Sequence, residues 1–103
     1  MISVSFEWAE SCSVRFKVKG HSGLKPKGED IVCAAVSALT QTFAAGSEQF
    51  LNAVCKGKIV QGNADILIKV PENKSDELKL LTNVFKHGFR KIAESYPEQL
   101  TLI

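Results

Sequence analysis

GHSGLKPKGEDIVCAAVSAL, residues 20–39, is the stretch where a strand-like sequence becomes a helical one. On its N-terminal side Ile2, Val4, Phe6 and Trp8 alternate with Ser3, Ser5 and Glu7, and Val14, Phe16 and Val18 alternate with Arg15, Lys17 and Lys19. A period of two marks half-buried strands, so these runs predict a hairpin turned by residues 9–12, its outer face basic and read as solvated. Within the stretch itself, Gly23, Pro26, Gly28 and two lysines make a loop composition. Asp30 then offers a carboxylate to the orphan amides of a helix starting at Ile31. Val32, Val36, Leu39 and Phe43 fall on one apolar stripe of that helix, facing the sheet. Ala34, Ala35 and Ala38 predict close packing, and Gly46-Ser47 predicts an interruption followed by a further turn over 48–54, ending near Gly57.

Downstream, Ile59 and Val60, the turn Gln61-Gly62-Asn63-Ala64, and Ile66, Ile68 and Val70 predict a second hairpin, ended by Pro71. Leu78, Leu81, Phe85, Phe89, Ile92 and Tyr96 repeat at steps of three and four, the mark of a long amphipathic helix over about 75–96. Ser75 or Asp76 is expected to cap it and Pro97 to close it, with a last short strand from Leu100. The order β-β-α-β-β-α-β describes a single α+β domain over 1–103, a two-layer sandwich of a mixed sheet of about five strands and two main helices.

A chain of 103 residues buries roughly two thirds of its unfolded surface in one core. Its net charge of +2, thirteen basic against eleven acidic residues without a basic block, argues against a dedicated nucleic-acid binder. No apolar run has the length of a membrane helix, and the N-terminus lacks the features of a signal peptide. A cytoplasmic protein with reduced thiols is expected. Cys12, Cys33 and Cys55 are odd in number, with no C-x-x-C pair and no metal-ligand spacing, so neither a disulfide framework nor a metal site is expected.

The reactive candidates are His21 and Cys33. Counting from Asp30 as N-cap, Cys33 is the third helical residue, at the positive end of the helix dipole, where a thiolate is favoured and backbone amides are available to an oxyanion. If the Asp30 carboxylate takes the Cys33 N–H, that donor is lost to substrate. His21 is placed to take the thiol proton or to pair with the thiolate, and the glycines at 20, 23 and 28 make the return path feasible. The plainer reading is a small buried apolar cysteine beside a loop histidine. Ser37 lies one turn beyond Cys33 on a less apolar face shared with Thr40, where it either tunes the thiol or bonds back to its own helix. His87 falls opposite the apolar stripe of the second helix and is expected in solvent. Cys12 and Cys55 have no base near them in sequence and read as structural.

GHSG at 20–23 and DIVCAAVSAL at 30–39 resemble the ribosomal-processing cysteine protease Prp family of Firmicutes and related bacteria. The resemblance extends to length, to the hairpin before the histidine and to the helix after the cysteine. It implies an endopeptidase with a Cys/His dyad that removes the N-terminal extension of the large-subunit ribosomal protein numbered twenty-seven, cutting after an aromatic residue. His21 and Cys33 fall on the family's catalytic positions, and Gly20, Asp30 and Ser37 on positions expected to support the site or bind substrate. A cytoplasmic homodimer without cofactor, membrane or direct nucleic-acid partner is likewise implied. One departure is Ser22, where the family more often has alanine.

A reading from another class also fits: Gly20-His21-Ser22-Gly23 matches the G-x-x-G loop with which KH modules clamp an RNA backbone. Such loops join two helices, whereas this one leaves a strand.

Overall fold

The computed structural model describes residues 1–20, 30–60 and 63–103. Its elements follow the expected order: β1 (Ile2–Glu10), β2 (Ser13–Gly20), α1 (Ile31–Leu51), β3 (Val54–Val60), β4 (Asn63–Lys69), α2 (Ser75–Ser95) and β5 (Leu100–Leu102). The strands form one sheet in the order β3-β4-β2-β1-β5, antiparallel except for β5, which lies parallel to β1. Alternation sets the register. Val4 sits opposite Val18, Phe6 opposite Phe16, and Phe16 opposite Ile66, so the apolar half of each strand shares one face. Both helices cover that face in a two-layer α+β sandwich.

The core is aromatic at its centre. Phe6 and Phe16 from the sheet meet Phe43 from α1 and Phe89 from α2, with ring centroids 4.9–5.9 Å apart. Phe85 joins through Phe43 at 5.1 Å. Rings at such separations contribute about 0.5–1.5 kcal/mol per pair beyond the area they bury. Among the described residues, two hydroxyls are buried without a hydrogen-bond partner, Thr40 on α1 and Thr82 on α2.

The expected break at Gly46-Ser47 does not occur, because α1 runs unbroken to Leu51. Ser47 is wholly buried and its hydroxyl donates to the Phe43 carbonyl at 2.7 Å, bonding back into the helix. With Phe43, Ala44 and Leu51 also buried, packing outweighs the roughly 1 kcal/mol that a helical glycine costs. The helix ends instead at Asn52, in the left-handed region at φ 54, and Val54 already belongs to β3. Gly57 is therefore a strand residue rather than a helix terminator. Its φ is +129, and a Cβ there would collide with the Asp65 carbonyl on β4.

Two smaller expectations are also corrected. Ala34 and Ala38 face solvent. Close helix approach occurs at Gly88, where an added Cβ would lie 3.3 Å from Leu39 Cδ1. Neither Ser75 nor Asp76 caps α2, because a 3-10 turn over Glu72–Lys74 leads directly into it. That turn supplies carbonyl acceptors to the first amides, with Lys74 N–H on the Pro71 carbonyl at 2.9 Å. The apolar stripes themselves hold: Val32, Val36 and Phe43 are buried on α1, as are Leu78 and Phe89 on α2. No helix among the described residues is long and apolar enough to cross a membrane.

Candidate active site

Asp30 is the N-cap of α1, as expected, and only 7% exposed. Its Oδ1 accepts from the Val32 N–H at 2.9 Å and the Cys33 N–H at 3.0 Å, while its carbonyl accepts from the Ala34 N–H at 3.1 Å. Cys33 is thus fixed in the first helical turn, half-buried. The cap takes the Cys33 amide, which is therefore not a donor for an oxyanion.

Gly20 ends β2 with φ +101, close against the Met1 carbonyl, where a side chain would not fit. His21 follows it directly but lies outside the described residues, together with the rest of the segment to Glu29. The topology nevertheless brings both flanks of that segment, Gly20 and Asp30, to one end of the molecule. Gly20 pairs with Ile2, whose N–H donates to the Gln99 carbonyl at 2.7 Å, and Gln99 and Leu100 donate in turn to Tyr96, the residue that ends α2. The helices run antiparallel, since Leu39 meets Gly88 while Phe43 meets Phe85. The first turn of α1, with Cys33, therefore lies beside the end of α2 and toward Gly20. A cleft of about 490 Å³ borders this end between α2 and β5, lined among others by Arg90, Ala93, Pro97, Leu100 and Leu102.

The other candidates separate. Ser37 is exposed one turn beyond Cys33, whereas Thr40 is buried, so the two do not form the shared polar face expected of them. His87 is exposed on α2. Cys12 is buried in the first hairpin, and Cys55 lies in β3 with Sγ 3.8 Å from the Ala44 carbonyl. Burial, helped by Glu48, pushes the Cys55 thiol up from its ordinary value, which disfavours the nucleophilic form. Among the described residues, no group of three His, Cys, Asp or Glu side chains is placed to hold a metal ion.

One interaction has no local signal in the sequence. Arg15 on β2 forks onto Asp65 on β4, Nε to Oδ1 and Nη2 to Oδ2, both at 3.0 Å. The Arg15 hydrogen bond holds the Asp65 carboxyl below the usual range, with Lys17 and Lys19 adding to the effect. Only the register, which sets Asp65 opposite Lys17 and two positions from Leu67, the partner of Arg15, reveals it.

Comparison with known proteins agrees with this layout. A Prp protease from S. aureus carrying a covalently linked product peptide has the same fold, with a TM-score of 0.80 at 22% identity over 99% of this chain and 97% of that one. The same protease with a substrate peptide gives 0.75 at 21% identity, over 100% and 98% of the two chains. SMU.848 from Streptococcus mutans gives 0.75 at 30% identity, over 99% of this chain and 91% of its own. No curated protein sequence matches significantly. The profile of the family described as cysteine protease Prp matches residues 1–101, a span holding the whole of α1 with Cys33 and both flanks of the segment that starts at His21, and the chain is accordingly a cysteine protease of the Prp family.

Proposed function

We propose that this protease is a ribosomal processing enzyme in which Cys33 and His21 form a catalytic dyad. Its substrate is the N-terminal extension of the large-subunit ribosomal protein numbered twenty-seven, cut after an aromatic residue. The observation that carries the reading is the half-buried Cys33 in the first turn of α1, at the end of the sandwich where β2 delivers its last residue before His21. The relatives described as ribosomal processing proteases, one with a substrate peptide, support the substrate class.

In this mechanism the Cys33 thiolate attacks the scissile carbonyl and forms the C–S bond. The tetrahedral intermediate collapses as the C–N bond breaks, and the His21 imidazolium gives its proton to the leaving amine. Water then hydrolyses the thioester, with His21 as base, and restores the thiol. Because the cap takes the amides of Val32 and Cys33, the oxyanion is held by donors other than these two. Asp30 acts as the cap that fixes Cys33, Gly20 allows the close passage of β2 beside Met1, and Ser37 is accessible to substrate at the site's edge. The family resemblance extends the proposal to a cytoplasmic homodimer, for which Leu80 and Val84, exposed four residues apart on α2, are the apolar candidates for contact.

The test is mass spectrometry of a peptide spanning the extension, incubated with wild type, Cys33→Ala and His21→Ala. Cleavage at one aromatic bond by wild type alone is expected. Cleavage by Cys33→Ala would refute the dyad, and cleavage of no such peptide by wild type would refute the substrate. The KH-like reading gains no support: the unusual backbone of Gly20 is accounted for by the Met1 carbonyl beside it.

A further inference from the structure

The sheet has a second face, away from the helices, and its charge is not that of the chain as a whole. Residues opposite in parity to the buried Val14, Phe16, Val18, Ile66 and Ile68 point there. Among the described residues this face gathers Arg15, Lys17 and Lys19 from β2, Lys69 from β4, and Lys56 and Lys58 from β3. Against these six cations stand three acids, Glu7, Glu10 and Asp65. Of the thirteen basic and eleven acidic residues in the chain, seven and eight are left for everything else. A net charge of +2 therefore hides a strongly basic face balanced by a mildly acidic remainder.

The register makes the face a lattice. Lys17 and Lys58 both flank Asp65, and Lys56 lies opposite Leu67, the residue between Asp65 and Lys69. Same-face residues along a strand are about 6.6 Å apart, and neighbouring strands about 4.8 Å. Arg15 and Asp65 neutralise one another in part, which leaves five lysines that meet no acid as close as Arg15 does: among the described residues, no salt bridge of 4.0 Å or less involves them. β1 adds Ser3 and Ser5 to this face, small side chains that do not stand in the way of a broad ligand. The aromatic residues of the hairpin, Phe6, Trp8 and Phe16, all have the opposite parity.

We propose that this open sheet face is a docking surface for the phosphate backbone of double-stranded RNA, separate from the peptidase site. Charge complementarity selects a polyanion. The absence of aromatic side chains on the face disfavours single strands, whose bases are held by stacking on such rings. A membrane is disfavoured too, because interfacial binding needs Trp, Phe or Leu among the lysines, and the large apolar residues of the described face are Leu67 and, at the β3 edge, Val54 and Val60. Choosing RNA as the polyanion rests on the ribosomal reading above, but the basic face does not. For a protease whose substrate is assembled with ribosomal RNA, such a surface would hold the enzyme near its target.

The experiment is fluorescence anisotropy of a labelled 20-base-pair RNA duplex of arbitrary sequence, from 50 to 200 mM KCl. The proteins are wild type, Lys17→Gln/Lys56→Gln/Lys58→Gln and Asp65→Asn, each checked for a native circular-dichroism melt. Wild type is expected to bind with a steep salt dependence. In the triple variant the affinity should drop at least tenfold at 50 mM, with the log–log slope shallower by roughly 2 to 3. Asp65→Asn, which removes an acid and releases Arg15, should bind several-fold more tightly. Phosphatidylcholine–phosphatidylserine vesicles and a DNA duplex serve as competitors at equal phosphate. Unchanged binding by the triple variant, weaker binding by Asp65→Asn, no binding by wild type at 50 mM, or displacement of RNA by vesicles or DNA more readily than by unlabelled RNA would each overturn the proposal. Normal cleavage of a short peptide by the triple variant would show the face to be separate from the peptidase site; loss of that cleavage in a folded variant would contradict it.

Discussion

Cys33 and Cys55 have similar exposure but opposite settings. One begins a helix and the other is tucked beside a helical carbonyl, where burial raises its pKa. Limited iodoacetamide labelling near pH 8 followed by peptide mapping should therefore modify Cys33 before Cys55, with Cys55 catching up only at more alkaline pH. Equal labelling at both would contradict this. The sign for stability follows from the same shift: the half-buried neutral Cys55 contributes fully below its unfolded pKa, and the contribution fades as pH rises through the higher folded value. The candidate residues stand out in the sequence because each carries chemistry in its type and spacing. Asp30 was read correctly as the cap because a short acceptor before an apolar-periodic run has one obvious use. The separation of Ser37 from Thr40 was not legible, since it depends on where α2 lies across α1.

At the scale of the element, α1 depends on its cap. Asp30→Ala should destabilise the protein by about 1 kcal/mol in chemical denaturation, and Asp30→Asn by less, because an amide oxygen can still accept from the Val32 and Cys33 amides. Peptidase activity should fall further in the alanine variant than the loss of folded protein explains, if the cap also fixes Cys33. β3 depends in the same way on Gly57, whose positive φ and contact with the Asp65 carbonyl admit no side chain. Gly57→Ala should cost more than about 1 kcal/mol in the same assay, whereas Gly46→Ala, with open space around it, should be neutral or stabilising. These glycines also explain where the sequence misled. Local composition makes Gly46 a breaker and Gly57 a terminator, but tertiary burial around Ser47 carries the helix through, and strand pairing claims the second.

For the molecule as a whole, the two-layer order and the two hairpins were written in the two periodicities, while the joining of β2 to β4 and of β5 to β1 was not. That pairing brings basic residues from three strands onto one face, so a charge asymmetry that looks like scatter along the chain becomes visible only in the fold. Packing also leaves Thr40 and Thr82 with buried, unpartnered hydroxyls. Thr82→Val keeps the shape and removes the unsatisfied group, and should raise stability by about 1 kcal/mol, seen as a melting temperature higher by about 5 °C. An unchanged or lower melting temperature would mean that the hydroxyl is satisfied. The peptidase chemistry is centred on the end of the sandwich toward which the first turn of α1 and the end of β2 converge. The most direct measurement there is the mass of the protein quenched in acid during turnover of the extension peptide, with the adduct mapped by digestion. The account predicts a thioester to the N-terminal product on Cys33, missing in Cys33→Ala. Product formation with the adduct on Cys12 or Cys55, or cleavage that persists in Cys33→Ala, would contradict it.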